Sequence, residues 1–358
     1  MTDAATSFIL QTVPLGSQWP TVDPFLFCAH HLDNYPAGRA DMSPNASLVG
    51  RDIGADFANR DGWNMYHGST VAGFPQHPHR GFETITYVRS GLIDHSDSMG
   101  ATARFGPGDT QWLTAGGGIV HCEMFPLVHT DRPNPLELFQ IWLNLPRADK
   151  MVEPYFTMRW GEDLIRVPLA DGRGELALIV GNYGDYRSPA PPPNSWANND
   201  QAEVAIWHLG LEPGASTVLP AAVSPDCVRI LYFFEGSTLR VGDDEVASST
   251  GVVLRCDVPV VIQATDQPAQ CLVMQGVPIG EPVVKHGPFV MNDREGIEQT
   301  FRDYDATGFG GWPWPSDGPV HPAASQRFAI HPNGRWETPS ADTVAATIDL
   351  VTAPTAGG

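Results

Sequence analysis

The sequence has few charged side chains, and few of those are positive. Only 17% of its 358 residues are Asp, Glu, Lys or Arg, and 41 acidic residues outnumber 21 basic ones. The formal charge of −20 creates a negative field that repels phosphates and anionic lipid headgroups. We therefore expect neither nucleic-acid binding nor attachment to a membrane.

Cysteines are also scarce, and none of their spacings is that of a metal or redox motif. There are five of them, at Cys28, Cys122, Cys227, Cys256 and Cys271. An odd number without a Cys-x-x-Cys pair is typical of reduced thiols rather than of a disulfide framework. The first residues lack the basic segment of a signal peptide, and no apolar run is long enough to span a membrane. We predict a cytoplasmic protein.

Glycine and proline, in contrast, are abundant, with 36 and 33 residues. They separate short runs rich in β-branched and aromatic residues, such as ETITYV at 83–88 and LFQIWLNL at 138–145. Short strands at close spacing, joined by turns, are typical of barrels and sandwiches. The sequence therefore predicts an all-β protein.

The second half of the chain repeats the strand-and-turn rhythm of the first. The run YFFEG ends at Gly236, as TYVRSG ends at Gly91. Aligning these two glycines places Ala222, Ser224 and Val228 opposite His77, His79 and Glu83. None of the first three is a strong metal ligand. We interpret the halves as duplicated domains, of which the second lacks a metal site.

These patterns divide the chain into three parts. Residues 1–150 form the first β domain, interrupted at about 33–68 by a polar excursion without helical or strand periodicity. Residues 151–285 form the second β domain. Residues 286–358 contain a short helix and an extended tail, which we expect to wrap the surface and to fray at its end.

The helix is predicted by its start signal and by its periodicity. Asn292 and Glu295 have the spacing of a capping box. Apolar residues follow at helical spacing before Gly308. We place the helix at about 293–305.

Two short pairs of candidate metal ligands lie in the first half, His77 with His79 and His121 with Glu123. In a strand, residues i and i+2 project to the same side, so each pair can offer two ligands. If antiparallel hairpins join the pairs, three imidazoles and one carboxylate can meet. Such a set suits Fe(II), Mn(II), Ni(II), Co(II) or Zn(II), and it leaves coordination positions open for a substrate.

Glu83 is the alternative fourth ligand. An uninterrupted strand would give it the same parity as the first histidine pair, although a kink at Gly81 could break that parity. We prefer Glu123 as the ligand. We expect Glu83 to accept a hydrogen bond that orients an imidazole or the neighbouring backbone.

Other side chains near the two pairs are expected to lie outside the site. Cys122 has the opposite parity to its neighbours and is predicted to be a small buried residue. His95 and His129 lie in polar turn and loop segments, so we expect both to face solvent.

At these motifs the sequence resembles the pirin family of the cupin superfamily. The matching stretches are GFPQHPHRGFETITYV, GPGDTQWLTAGGGIVHCEM, LFQIWLNLPRADKMVEP and GEPVVKHGPFVMNDREGIEQTFRDY, which together cover most of residues 70–315. The resemblance implies a bicupin, with a metal in the N-terminal barrel and none in the C-terminal barrel. Carried over by motif, the family's iron ligands fall on His77, His79, His121 and Glu123. The excursion and the tail beyond Pro315 are longer than is usual in the family.

The resemblance also implies an activity. Several pirins are similar to quercetin 2,3-dioxygenases, so we expect an Fe(II)-dependent oxidoreductase that combines O₂ with a flavonol or related phenolic. In this interpretation Glu123 is the catalytic base as well as a ligand. Animal members resemble iron-dependent co-regulators that bind transcription factors. The alternative is therefore a non-catalytic metal or redox sensor that acts through a protein partner.

Overall fold

The computed structural model describes residues 7–339 and consists of two β-barrels with one short α-helix. In chain order, the strands that lie before residue 160 are β1 Ile9–Pro14, β2 Gln18–Trp19, β3 Phe25–Tyr35, β4 Ala72–His79, β5 Phe82–Ser90, β6 Ile93–Asp97, β7 Thr102–Phe105, β8 Thr110–Thr114, β9 Ile119–Phe125, β10 Asn134–Asn144 and β11 Tyr155–Arg159. They are followed by β12 Ile165–Pro168, β13 Gly174–Val180, β14 Asn182–Tyr183, β15 Tyr186–Arg187, β16 Ala205–Leu211, β17 Ser216–Leu219, β18 Val228–Glu235, β19 Thr238–Val241, β20 Asp244–Ala247, β21 Thr250–Leu254, β22 Val260–Ala264, β23 Ala269–Gly276, β24 Val284–His286, β25 Phe289–Met291, β26 Phe328–Ile330 and β27 Trp336–Glu337. Helix α1 spans Arg294–Thr307, and short 3₁₀ turns lie at Arg60–Gly62, Arg147–Asp149, Gly161–Asp163, Trp196–Asn198, Asp200–Ala202 and Gly308–Gly310.

The first barrel is built from two six-stranded antiparallel sheets. One has the order β11-β8-β5-β10-β3-β2, and the other has the order β27-β26-β7-β6-β9-β4. Strand β4 is the edge of the second sheet, and among the described strands it pairs only with β9. An edge position accommodates the two prolines of β4, since proline has no N–H to donate to a neighbouring strand.

The second barrel repeats this topology. Its large sheet contains the order β21-β18-β23-β16, which matches β8-β5-β10-β3 of the first barrel. Its small sheet has the order β17-β22-β19-β20, which matches β4-β9-β6-β7. Gly91 and Gly236 follow the equivalent strands β5 and β18, with φ of 84° and 132°. The expected two-domain all-β fold is confirmed.

The interior of the second barrel is filled with apolar side chains. Its cluster of buried residues consists largely of Leu, Val and Ala, together with Trp207 and Phe233. These side chains form the core that joins the two sheets of the second barrel.

The two barrels pack through their large sheets. A continuous apolar cluster joins residues of the first barrel, such as Ile85 and Phe139, to residues of the second, such as Ile206 and Leu272. Burial of apolar surface at about 25 cal/mol per Å² stabilises this contact between the barrels.

The two ends of the chain exchange barrels. Strand β1 pairs with β21 of the second barrel, and β26 pairs with β7 of the first. The predicted domain boundaries at residues 150 and 286 therefore follow the order of the chain and do not enclose complete barrels. The complete strand set of each barrel includes a strand from the opposite end of the chain.

A buried ion pair fixes the tail to the first barrel. The Arg104 guanidinium donates to both carboxylate oxygens of Asp94 at 2.7 Å, and both side chains are fully buried. Arg104 also donates to the carbonyl oxygens of His321 and Pro322, and Asp94 accepts from the backbone N–H of His321. The predicted wrapping of the tail is found up to residue 339. Its predicted fraying concerns residues outside the described part.

Helix α1 lies where it was predicted, but its cap residue differs. Asp293 is the N-cap and accepts from the backbone N–H of Gly296, and Gly308 ends the helix with φ of 56°. The amide of Asn292 instead donates to Glu281 and to the carbonyl oxygen of Pro282. The Asn292 side chain is therefore engaged with the preceding loop, and Asp293 caps the helix. Within residues 7–339 no helix has the length and apolar character needed to cross a bilayer.

The excursion is compact despite its polar sequence. Its first residues, up to Tyr35, extend β3, and the remainder is irregular. Arg51 is buried, with its guanidinium 3.4 Å from the centre of the Trp63 ring and its Nη1 donating to Asp56 at 2.9 Å. Tyr35 donates to the carbonyl oxygen of Asn64 at 2.6 Å. Trp63, Met65 and Tyr66 also belong to the same buried apolar cluster as residues of β6 to β8, so the excursion packs against the first barrel.

Candidate metal centre

Strands β4 and β9 bring three histidines together. His77 lies directly opposite His121 in the antiparallel register, and His79 follows two residues after His77 on the same strand. The register shifts between Phe74 and His77, which makes a bulge beside the first ligand pair. One ring nitrogen from each of the three histidines lies within 4.8 Å of the others. This spacing suits a single ion bound among them.

Burial keeps the three imidazoles neutral. Loss of solvation lowers the pKa of His77 to about 4 and places the pKa values of His79 and His121 well below the usual value. Neutral imidazoles have a free lone pair, which metal binding requires. His121 is fully buried, and neither of its ring nitrogens has a hydrogen-bond partner among residues 7–339. Such an orphaned group is costly unless a ligand completes it.

The other two histidines are oriented by backbone carbonyl groups. His77 Nδ1 lies 2.8 Å from the carbonyl oxygen of Pro75, and His79 Nδ1 lies 3.4 Å from that of Pro288. If each Nδ1 carries the proton, each Nε2 is left with its lone pair. Pro288 comes from the segment before α1, so the C-terminal part of the chain positions a ligand of the first barrel.

Glu123 is buried on the same strand as His121 but is not part of the group within 4.8 Å. Its Oε1 lies 2.9 Å from the Thr86 hydroxyl, and its Oε2 accepts from the Gln140 amide at 3.2 Å. Burial raises its pKa. The sequence analysis missed Thr86 and Gln140, because they come from β5 and β10 and no spacing along the chain relates them to Glu123.

Comparison with known proteins places the chain in a family. The pirin family model matches residues 10–143, and the model of the pirin C-terminal cupin domain matches residues 206–310. A Pseudomonas aeruginosa protein with the provisional name quercetin 2,3-dioxygenase is 38% identical over 233 residues, which are 65% of this chain and 78% of that protein. The chain belongs to the pirin family.

Other relatives are similar over a comparable length. Human pirin is 32% identical to this pirin-family chain over 248 residues, which are 68% of this chain and 79% of human pirin. The crystal structure of a quercetin 2,3-dioxygenase from Acinetobacter baumannii matches 86% of this chain and 99% of its own, with a TM-score of 0.68 at 23% identity. The structural match shows a shared two-barrel fold.

Glu83 of this pirin-family protein has partners other than those predicted. Its carboxylate faces the second barrel and accepts from Thr114 at 2.7 Å and from Ser195 at 2.5 Å. The chain turns at Gly81, whose φ is 87°, between the end of β4 and the start of β5. Glu83 therefore lies in a different sheet from His79, and it orients the interface between the barrels rather than an imidazole.

The buried Glu83 leads to a testable pH dependence. Burial raises its pKa from 4.5 to about 7, so between these values the folded state binds more protons than the unfolded state. The free energy of unfolding should therefore fall as the pH rises through this window, by about 3 kcal/mol from this group. Urea unfolding of the wild type and Glu83→Gln at several pH values measures the difference.

In this comparison Glu83→Gln should lose most of that decline, because a glutamine can keep a hydrogen bond to either hydroxyl without ionising. Glu153→Gln, at an exposed carboxylate, serves as the control and should follow the wild type. Parallel curves for the wild type and Glu83→Gln would show that Glu83 does not change protonation on folding.

His95 corrects a prediction. It is fully buried in β6, directly opposite Glu123, and its ring centre lies 5.5 Å from that of His121. Its Nε2 lies 3.1 Å from Asp97 Oδ2. The polar run that contains it resembled an exposed turn, but in this pirin both faces of β6 are covered. His95 and Asp97 are separated by one residue, and this spacing could have indicated a strand in which both side chains face the same side. His129 is half-buried in its loop.

Aromatic rings surround the histidines of this pirin. The Trp142 ring lies 5.5 Å from His79 and 4.8 Å from Phe27, and the Phe74 ring lies 6.3 Å from His77. Phe74 is in turn 5.0 Å from Tyr66 of the excursion. The excursion therefore borders the site, while His77 remains partly exposed. Cys122 points away from the histidines and packs with Met124, as its parity predicted.

Proposed function

We propose that this protein is a metal-dependent dioxygenase that acts on a flavonol or a related phenolic. The observation that carries the proposal is the convergence of three neutral imidazoles, one of which has no hydrogen-bond partner at either ring nitrogen. Relatives with quercetin dioxygenase names support the reaction class. The aromatic rings around the histidines suit a flat phenolic substrate.

We assign His77, His79, His121 and Glu123 as the residues that hold one divalent ion. The buried imidazole of His121 fits such an ion, which would take the lone pair of one of its two unpartnered nitrogens. Fe(II) is the ion we favour, with Mn(II), Ni(II), Co(II) and Zn(II) as the alternatives. When bound, the metal would supply a Lewis acid for a phenolic oxygen and redox chemistry for O₂.

Glu123 is placed to accept a proton from the substrate. Thr86 Oγ1 lies 2.7 Å from Gln140 Oε1 and 2.9 Å from Glu123 Oε1, and its one proton can be donated to either oxygen. Gln140 Nε2 donates to Glu123 Oε2. Burial raises the pKa of Glu123, whereas these two hydrogen-bond donors lower it. In its ionised form Glu123 can bind the ion and take up a phenolic proton.

Oxygen uptake in the presence of quercetin tests the proposal. The metal-loaded wild type should consume O₂, whereas Glu123→Gln should lose about 100-fold or more of that activity because the amide cannot accept the proton. Thr86→Val should lose about tenfold and should retain its metal. Metal content, measured on the same samples, separates the two roles of Glu123. If Glu123→Gln consumes O₂ at the wild-type rate, Glu123 is not the base.

Thr84→Val is the matched control for Thr86→Val. Thr84 is buried on the same strand, and its hydroxyl has no hydrogen-bond partner. Its replacement removes the same atom without touching Glu123, so activity should be unchanged. Absence of O₂ uptake with every phenolic tested would instead favour the alternative, a metal-dependent sensor with a protein partner. In that case we would look for the partner in the cytoplasm by a metal-dependent pull-down.

A further inference from the structure

Two thiols lie opposite one another at one end of the second barrel, far from the histidines in sequence. Cys227 precedes β18 and Cys256 follows β21. These strands pair with Arg229 opposite Leu254, and the same register continued by two residues places Cys227 directly opposite Cys256. Opposed residues of an antiparallel pair have Cα atoms about 4.5 to 5.5 Å apart. A disulfide spans about 4.4 to 6.8 Å between Cα atoms, so the backbone spacing suits a bond.

The two thiols also share a face of the sheet. Leu231 and Leu254, which have the same parity as the cysteines, belong to the apolar interior of the barrel. In the alignment of Gly91 with Gly236, Cys227 corresponds to Phe82, whose ring lies 5.1 Å from His79. The thiol pair therefore lies at the end of the second barrel that corresponds to the metal end of the first.

A buried positive charge lies beside the thiols. Arg229 is fully buried, its Nε donates to Gln275 at 2.8 Å, and its Nη2 donates to the carbonyl oxygen of Pro220 at 2.7 Å. Its Nη1 has no hydrogen-bond partner, and within residues 7–339 no carboxylate forms a salt bridge with it. An uncompensated guanidinium favours a thiolate over a thiol.

The interaction between the thiols makes them unequal. The hydrogen bond from Cys227 lowers the pKa of Cys256, and burial raises it. The positive charge of Arg229 lowers it further. The same interaction raises the pKa of Cys227. The hydrogen bond between the thiols and the nearby Arg229 favour one thiolate in the pair, and we assign Cys256 as the attacking thiol and Cys227 as the resolving thiol.

Small reagents can reach these two thiols more readily than the others. Cys227 is 7% exposed and Cys256 is 6% exposed. The remaining three cysteines have no exposed surface, namely Cys28, Cys122 and Cys271.

We propose that Cys227 and Cys256 form a redox-active dithiol, which a low-molecular-weight disulfide such as glutathione disulfide converts to an intramolecular disulfide. The Cys256 thiolate attacks one sulfur of glutathione disulfide, forms a mixed disulfide and releases one glutathione thiolate. Cys227 then loses its proton, attacks the Cys256 sulfur and releases the second glutathione. Two electrons pass from the protein to glutathione disulfide, and the two thiol protons end on the two glutathione products.

Thiol counting and peptide mapping test this site on the full chain. After equilibration with excess glutathione disulfide, iodoacetamide is added under denaturing conditions and the protein is digested with trypsin without reduction. Free thiols should fall from five to three, since two are consumed. Mass spectrometry should find peptide 188–229 linked to peptide 256–285. Five free thiols, or a stable glutathione adduct on Cys256 in the wild type, would overturn the proposal.

Two variants distinguish the pair from its neighbours. Cys227→Ser should keep glutathione attached to Cys256, because the resolving thiol is missing. Cys271→Ala, which removes the other cysteine of peptide 256–285, should still form the link. Loss of the link in a folded Cys271→Ala protein would assign the reactive thiol to Cys271 and contradict the proposed pair.

Discussion

Replacing His121 by leucine should raise the dissociation constant for the metal by about 100-fold or more, since loss of a direct ligand exceeds the 10- to 100-fold effect of losing an outer partner. The same replacement should leave the metal-free protein at least as stable as the wild type. His121 has two buried nitrogens without partners, and such atoms cost about 1 to 3 kcal/mol that leucine does not incur. Competition with a chelator measures the first effect, and urea unfolding of metal-free protein measures the second.

This pair of opposite effects separates a ligand from a structural residue. A histidine that served only to fill the core would give no change in metal affinity. His286→Ala, at an exposed position, is the control and should alter neither quantity. Wild-type affinity in His121→Leu would show that the ion, if bound, lies elsewhere.

Replacing Asp94 by alanine should cost about 3 to 5 kcal/mol of the free energy of unfolding. The change leaves the Arg104 guanidinium buried without its counter-ion and removes the acceptor for the backbone N–H of His321. The tail should separate from the barrel before global unfolding, because its anchor is lost. Urea unfolding gives the total cost. Hydrogen exchange at the backbone amides of β26 reports the tail separately.

The double variant Asp94→Ala with Arg104→Leu is the control for this prediction. It removes both charges, so it should be less destabilised than Asp94→Ala alone. Asp305→Ala, at an exposed carboxylate, should change stability by no more than about 0.5 kcal/mol. If the loss in free energy of unfolding in the double variant equalled the sum of the losses in the two single variants, the two side chains would not be coupled.

Strand parity was sufficient to predict much of the site. Two residues that are separated by one position in a strand must face the same side, so His77 and His79 could be grouped from sequence alone. The turn glycines Gly91 and Gly236 similarly exposed the repeated topology, since positive φ restricts these positions. Strand parity and the backbone freedom of glycine depend on neighbouring residues alone, so both can be recognised in a sequence.

Other features depend on contacts between distant segments. The positive φ of Gly81 sends Glu83 to a different sheet. A kink at this glycine was one possibility in the sequence, but periodicity does not decide whether it forms. His95 is buried because sheets close around a polar strand. The exchange of chain ends depends on pairing between residues more than 200 positions apart, as between Thr12 and Val252. Such pairing is decided by tertiary packing.

The exchanged ends have a consequence for fragments of this protein. A cut between β10 and β11 would leave an N-terminal fragment that carries β1, which is the outer strand of the second barrel's large sheet. The same fragment would lack β26, the strand that pairs with β7 of the first barrel. Each piece would expose unpaired backbone along β7 or β21, and exposed edges of this kind pair with other chains. Fragments expressed together should reassemble around these strands, whereas fragments expressed alone should associate with copies of themselves.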